Sequence, residues 1–306
     1  MSKKTHRIIK LIFDLIQNKQ RFFFWIGMRF LSSFLPLITI YLFSKTINLV
    51  EIKSDFSTIF FSILIIFSVR VIDNFVRIKS VTKLDECISD INFDIHNHFV
   101  KNIKTETKLE RHESLQIISN FSDATALTLK LFRQPGIDSF VSLCTIPFII
   151  LFVDFKVFVL EIVYIIIYYF IDHYTTQHYI GFKDIQNTKA EVYYAKLHET
   201  NDVDLEQKTF SRHFSRLTNW CFKEWFTLQN TAVFFYTLIF AYLIIAVSNG
   251  TKLISDLVLI MSYISSTQIY LNSFSEIKDS LADMAVSVNH LAKNKSITAI
   301  DFEDLV

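Results

Sequence analysis

FSTIFFSILIIFSVRVIDNFVRIKSVTKLDECISDINFDIHNHFVK, residues 56–101, opens as an apolar run and passes into a charged stretch without a single Pro or Gly. With neither helix breaker present, one helix is predicted from Phe56 to about Lys101. At a rise of ~1.5 Å per residue that rod is about 70 Å long, more than twice a hydrocarbon core of ~30 Å. It crosses a membrane and projects far beyond it. Breakers are missing from much more of the chain: none occurs from Leu37 to Arg133 or from Phe182 to Asn249.

Working outward, apolar runs recur at 22–43, 56–69, 140–153, 157–171, 226–247 and 257–274, in a chain of 306 residues that is 51% hydrophobic and 20% charged. The short runs reach the ~20 residues of a span by extending into mixed segments, where Arg and Lys stems snorkel. The first run is too long for a signal-peptide core and is read as a retained span. Connections alternate between short and very long. Counting Lys and Arg, the long ones, 70–139 and 172–225, carry ten and seven and the segment through Arg21 carries six. The three short connections carry two, one and one. The positive-inside rule therefore places both termini and both long connections in the cytoplasm. Structureless loops of such length are uncommon, and Tyr193, Tyr194, Leu197, Phe210, Phe214 and Leu217 keep helical spacing, so the long connections are predicted to be helical hairpins. The fold class is an all-α membrane protein: six transmembrane helices with two long cytoplasmic helical hairpins, in a plasma (inner) membrane.

Composition also excludes. The only glycines are Gly27, Gly136, Gly181 and Gly250, no two of them five apart, so neither a phosphate loop nor a dinucleotide turn fits this sequence. Cys87, Cys144 and Cys221 lie far apart and contain no C-x-x-C pair, against a disulfide framework or zinc site. A net charge of +1 gives no argument for nucleic acid. Asp94 and His98 share a helical face, but His96 points away from His98, and a metal needs three or four convergent ligands. No nucleophile sits in a recognisable turn. The expectation is no enzyme, no cofactor and no metal in this chain.

Candidate functional residues fall in three groups. On a 3.6-residue wheel, Ser262, Ser265, Ser266, Asn272, Ser273 and Glu276 share one arc, with Leu257, Ile260, Ile264, Leu271 and Phe274 opposite, so one face of the last span asks for water or close helix packing. Arg29 and Glu161 are ionisable residues inside apolar runs. Arg29, about two turns from the inner end of its span, is expected to snorkel, Glu161 to reach water near the outer end, and whether they pair is open. Polar clusters at 104–114 and 200–208 mark reversals at the hairpin tips, where Glu106, Lys108, Glu110, His112, Glu199, Asp202, Asp204 and Glu206 are candidate contacts. Residues 5–17, with Ile8, Ile9, Ile12, Phe13 and Ile16 at helical spacing, are predicted to lie in the interface.

An interfacial entry helix, six spans, short outer loops and two long cytoplasmic hairpins resemble the transmembrane half of type I exporters of the ABC transporter family, over nearly the whole chain. ESLQIISNFSD, residues 113–123, is similar to the family run G-E-L-I-S-R-L-x-x-D after the first coupling helix, without its glycine. KLHE at 196–199, followed by 202–210, resembles the S-x-L-x-E-x-x-x-G-x-x-x-V-K region, again without glycine. GTKLISDLV at 250–258 resembles G-x-L-T-x-G-D-L-V. AIDFEDLV at 299–306 resembles the I-x-F-x-x-V strand that opens the ATPase domain. The resemblance implies an interfacial elbow helix and cytoplasmic segment at 1–20, a six-helix transmembrane domain at 21–288, and a cytoplasmic tail at 289–306. It implies a dimer with itself or a paralogue, alternating access for an unknown substrate, an amphipathic one being suited to the aromatic-rich spans and the hydroxyl stripe, and docking of the tips on a separately encoded ATPase that carries ATP and Mg. The missing family glycines favour an alternative, an ATPase-free degenerate transporter serving as scaffold, inhibitor or assembly partner.

Overall fold

The computed structural model describes residues 16, 18–101, 103, 108–197 and 204–293, and the regular elements among them are long helices. The expected interfacial helix at 5–17, all but Ile16, and the strand-like segment at 299–306 lie outside the described residues. The run predicted as one span at 22–43 is two helices in near continuity, α1 (Lys19–Ser32) and α2 (Phe34–Glu51), parted at Ser33. Pro36 explains the break. It has no N–H, and its ring clashes with the carbonyl four residues back, so it belongs in the first turn of a new helix.

α3 (Phe56–Val100) matches the predicted rod to within a residue and has 45 residues, about 68 Å at ~1.5 Å each. Asp55 caps it, accepting from Thr58 N at 3.0 Å and Thr58 Oγ1 at 2.8 Å. α4 (Lys108–Leu131) and α5 (Ile137–Val153) are joined through a wide turn at Phe132–Gly136. There Pro135 forces Gln134 to extended angles, φ −161° and ψ 120°. α6 (Phe155–Leu197), α7 (Asp204–Ser248) and α8 (Ile254–Lys293) follow. Gly250, at φ +70°, takes the left-handed position that ends α7.

These helices form six rods. Five, namely α1 with α2, α3, α4 with α5, α7 and α8, contain a stretch long and apolar enough to cross a membrane. α6 packs against both α7 and α8 and carries the apolar run 157–171 near its start. Phe56, Phe60, Phe61, Phe67 and Phe75 on α3 are all exposed, as suits a helix that meets hydrocarbon.

α8 runs through the middle. It contributes Ile260, Tyr263 and Ile264 to a cluster with Leu37, Ile146, Ile150, Ile239 and Leu243 near the short turns. Further along, Leu271 meets Tyr164, Tyr168, Leu228 and Phe235, and Ala282 meets Tyr179 and Leu217. At the far end Met284, Val288 and Leu291 join Leu84, Ile95, Phe99, Ile118 and Phe121. Close approach to α8 also sets Gly136, where a Cβ would sit 2.9 Å from Ile277 Cδ1 and 3.0 Å from Leu131 O.

Two polar knots hold the rods in register. In the first, Arg29 of α1 is 0% exposed and pairs with Asp138 of α5. Asp138 also receives Arg77 of α3 at 2.9 Å and Ser33 Oγ at 2.6 Å, and Arg77 reaches Asp73 at 3.3 Å. In the second, Asp154 fills the single residue between α5 and α6 and accepts from the N–H groups of Lys156 at 2.9 Å and Val157 at 3.2 Å. Lys252 lies 3.3 Å from its carboxylate, and Tyr242 donates to it at 3.2 Å. Burial pushes the Asp154 carboxyl up, but the Val157 N–H, the Lys252 ammonium and the Lys156 N–H together hold it below the usual carboxylate range.

Removing Asp138 leaves the buried Arg29 charge without an acid, which costs about 3–5 kcal/mol, whereas removing Arg29 leaves Asp138 still paired with Arg77. Asp138→Ala should lower the thermal midpoint in detergent sharply, Arg29→Ala should lower it less, and an Arg29→Met, Asp138→Leu double variant should recover part of the Asp138→Ala loss. Asp154→Ala should cost about 1–2 kcal/mol as a lost cap. Because the folded carboxyl titrates below its unfolded value of ~3.9, its contribution is present above that pH and lost as the pH falls through the folded value. Melting curves of wild type and Asp154→Ala should therefore converge under strongly acidic conditions.

Candidate functional site

The polar arc expected on the last span exists on α8 but is not uniform. Ser265 and Glu276 are exposed, and Ser262, Ser266, Asn272 and Ser273 are half-buried. Ser266 turns back to donate to Ser262 O at 2.9 Å, as hydroxyls on apolar helices do when no partner is near. Asn272 accepts from Tyr168 of α6 at 2.9 Å, so it joins two helices as well as bordering the exposed stripe. The opposite face is buried at Ile260, Ile264 and Leu271. Phe274 departs from the expectation: it is exposed, one position past the edge of the buried stripe.

The two ionisable residues do not behave as expected. Arg29 neither snorkels nor meets Glu161, because Asp138 lies closer, on the helix packed against it. Glu161 does not reach water. It is 0% exposed, accepts from Thr267 Oγ1 of α8 at 2.8 Å, and among the described residues has no partner for Oε2. Tyr164, one turn on, likewise has a buried hydroxyl without a partner among them. Between α7 and α8, Gln268 donates to Gln229 at 3.0 Å, a contact the wheel did not single out.

A larger polar assembly was missed from the sequence. Where the apolar run of α6 ends, Asp172 binds Ser275 and Lys278 of α8, Glu224 of α7 accepts from Thr175, and Thr176 lies 3.4 Å from Asp279. One turn further, Tyr179 donates to Asp283 at 2.9 Å and Lys183 pairs with Asp283 at 3.1 Å. The signal was present. Asp172, Thr175, Thr176, Tyr179 and Lys183 follow the i, i+3, i+4, i+7, i+11 spacing of one helical face, but it is a polar face, whereas core prediction reads apolar ones.

At the tips, Glu106, Glu199 and Asp202 lie outside the described residues. Lys108 begins α4, with Glu110 and His112 exposed on its first turn. Asp204 is exposed at the start of α7, and Glu206 pairs with Lys196 across the end of α6. Above that pair Tyr193 stacks on Phe210 with centroids 5.8 Å apart and planes 4° from parallel, so the two rods stay packed to their far ends. Among the described residues no three His, Cys, Asp or Glu side chains converge as metal ligands.

The arrangement is therefore a membrane bundle with a partly exposed polar stripe on its central helix and a belt of half-buried ion pairs where apolar helix gives way to polar rod.

No protein-family model and no curated protein matches the sequence. Among solved structures, a bacterial Atm1-family ABC exporter with ATP bound matches with a TM-score of 0.70 at 11% identity, over 94% of this chain and 53% of that one. The chain thus has the fold of an ABC exporter's membrane region and spans about half the length of that exporter.

Near the end of α8, sixteen residues past its apolar run, His290 lies between two carboxylates of α6, with Nδ1 2.9 Å from Glu191 and Nε2 3.0 Å from Asp184. Ionised carboxylates only accept, so both contacts need the imidazolium. The Glu191 hydrogen bond outweighs the effect of burial and raises the histidine above its ordinary value. With the folded value raised, this contact contributes fully below the unfolded value of ~6.5 and is lost as pH climbs through the folded one. Thermal midpoints should fall as pH rises from 6 upward, and His290→Gln should flatten that dependence.

Proposed function

We propose that the chain is a membrane-spanning subunit of an ABC-type exporter, moving an amphipathic solute by alternating access and powered by an ATPase encoded separately. The observation that carries this reading is the match of almost the whole described bundle to an exporter's membrane region. In this reading six helices span the bilayer, both long hairpins are cytoplasmic, and two subunits face each other across a cavity bordered by the α8 stripe of Ser262, Ser265, Asn272 and Glu276. The packed rods act as levers. A push on the tip at 200–208 is carried by α6 and α7, locked together by Tyr193 and Phe210, to the ion-pair belt and from there to the spans, and a push on the tip at 104–114 is carried by α3 and α4.

Nucleotide binds elsewhere, since the sequence has no glycines at phosphate-loop spacing. ATP and Mg belong to the partner in this proposal. The second reading, an ATPase-free scaffold or inhibitor, draws its support from the two family-like tip segments that lack their glycines, because such positions let a backbone approach a docking partner closely.

Affinity purification of the tagged chain from its native membrane in mild detergent, with an ATPase assay on the eluate, distinguishes the two. The exporter reading expects a stoichiometric ATPase subunit, and activity reduced about tenfold or more by Glu199→Ala with Asp202→Ala, on the order of the 2 kcal/mol or more that interface hot spots carry. A pure homodimer without ATPase, or a complex with an unrelated membrane protein, favours the scaffold.

A further inference from the structure

A groove of about 520 Å³ opens between α6 and α7, lined by Phe170, Ile171, Tyr174 and Thr175 on one side and by Trp220, Lys223, Glu224 and Thr227 on the other. Its volume is that of a small-molecule site. Its place along the rods is specific. The apolar runs 157–171 and 226–247 both end at this level, so the groove sits at the boundary between hydrocarbon and head groups on the side toward which the long rods extend. It is open to the surface at Phe170, 66% exposed, and Tyr174, 63% exposed.

The lining carries both signs of charge. Lys223 is exposed and makes no ion pair among the described residues. Glu224 is 6% exposed and accepts from Thr175. Behind it, Asp172 and Asp279 lie within electrostatic range, and this group of three carboxylates faces one ammonium, Lys278. Glu224 makes no ion pair among the described residues, so an ammonium entering the groove would supply one. Three aromatic rings frame the same opening. Trp220 is held in place because its Nε1 donates to Thr175 O at 3.2 Å and His178 packs 5.1 Å from its ring. Aromatic faces beside a carboxylate suit an alkylammonium, and a free lysine at the rim suits a phosphate.

We propose that this groove binds a zwitterionic phospholipid of the adjoining leaflet, its ammonium between the aromatic rings and Glu224, its phosphate at Lys223, and its acyl chains along the apolar ends of α6 and α7. The inference rests on where the rods cross the membrane and not on transport or on an ATPase, so it stands or falls separately from the exporter reading. A lipid rather than a soluble solute is indicated by continuity: the groove's rim at Phe170 and Ile171 leads directly into the apolar surface of the span, where chains would lie.

Native mass spectrometry of the delipidated full chain in detergent tests this, with phosphatidylethanolamine and phosphatidylglycerol of identical chains and with soluble phosphoethanolamine. Phosphatidylethanolamine should saturate one site about tenfold more tightly than phosphatidylglycerol, and phosphoethanolamine should bind far more weakly than either. Glu224→Gln should erase the preference between the two lipids. Phe170→Ala with Tyr174→Ala, which removes only exposed rings, should do the same without harming the fold. Phe234→Ala, an exposed aromatic elsewhere on α7, should leave the preference intact. Equal binding of both lipids, a preference that survives all the groove variants, or phosphoethanolamine binding as tightly as the lipid would each overturn the proposal.

Discussion

A guanidinium with no exposed surface, Arg29, sits in an apolar helix and must be answered by an acid, because an unpaired charge in low dielectric costs several kcal/mol. Asp138 answers it, and through Asp138 the requirement spreads to Ser33, Arg77 and Asp73. Three helices, α1, α3 and α5, are thereby fixed in height and rotation against one another. Between hydrocarbon-rich helices apolar contact gives little orientational preference, since lipid tails are as apolar as side chains. Polar pairs that tolerate only one geometry supply the register instead.

The same logic repeats along α8. Its apolar face serves four successive clusters, and between them hydroxyls and charges reach sideways: Thr267 to Glu161, Ser275 and Lys278 to Asp172, Asp283 to Tyr179 and Lys183, His290 to Glu191 and Asp184. All of these contacts go to α6. The two helices are thus tied from mid-bundle nearly to their distal ends, and displacement of one must move the other or break several charged contacts together. A lever needs that stiffness. An exporter reading makes use of it, and a lipid seated beside Glu224 would bear on the same belt, since Glu224 lies next to Asp172 in it.

Much of the architecture was legible in the residues. The sequence foretold α3 almost to its last residue: no Pro or Gly interrupts it, while its ends, inside the same breaker-free interval, are set by polar residues such as the capping Asp55. The apolar runs announced the membrane for an equally local reason, as hydrophobic length is summed along one segment. Layout resemblance pointed to the exporter fold, which the structural match bears out. The break at Ser33 was also latent in the sequence, in Pro36, but a window that averages hydropathy passes over it.

Partnership was not legible. Arg29 and Asp138 are 109 residues apart, Asp172 and Lys278 are 106 apart, and a hydropathy wheel holds no information about which neighbouring helix faces which. Arg29 was expected to snorkel and Glu161 to reach water because a single helix, considered alone, offers each no other way to lower its desolvation cost. Packing offered Asp138 to the first and Thr267 to the second. The sequence by itself therefore determined the helices, their lengths and their membrane character, which are sums over neighbours in the chain. Only the tertiary structure decided which charges are paired, which polar face is buried and where a groove opens, because those depend on short distances between segments that the chain keeps far apart.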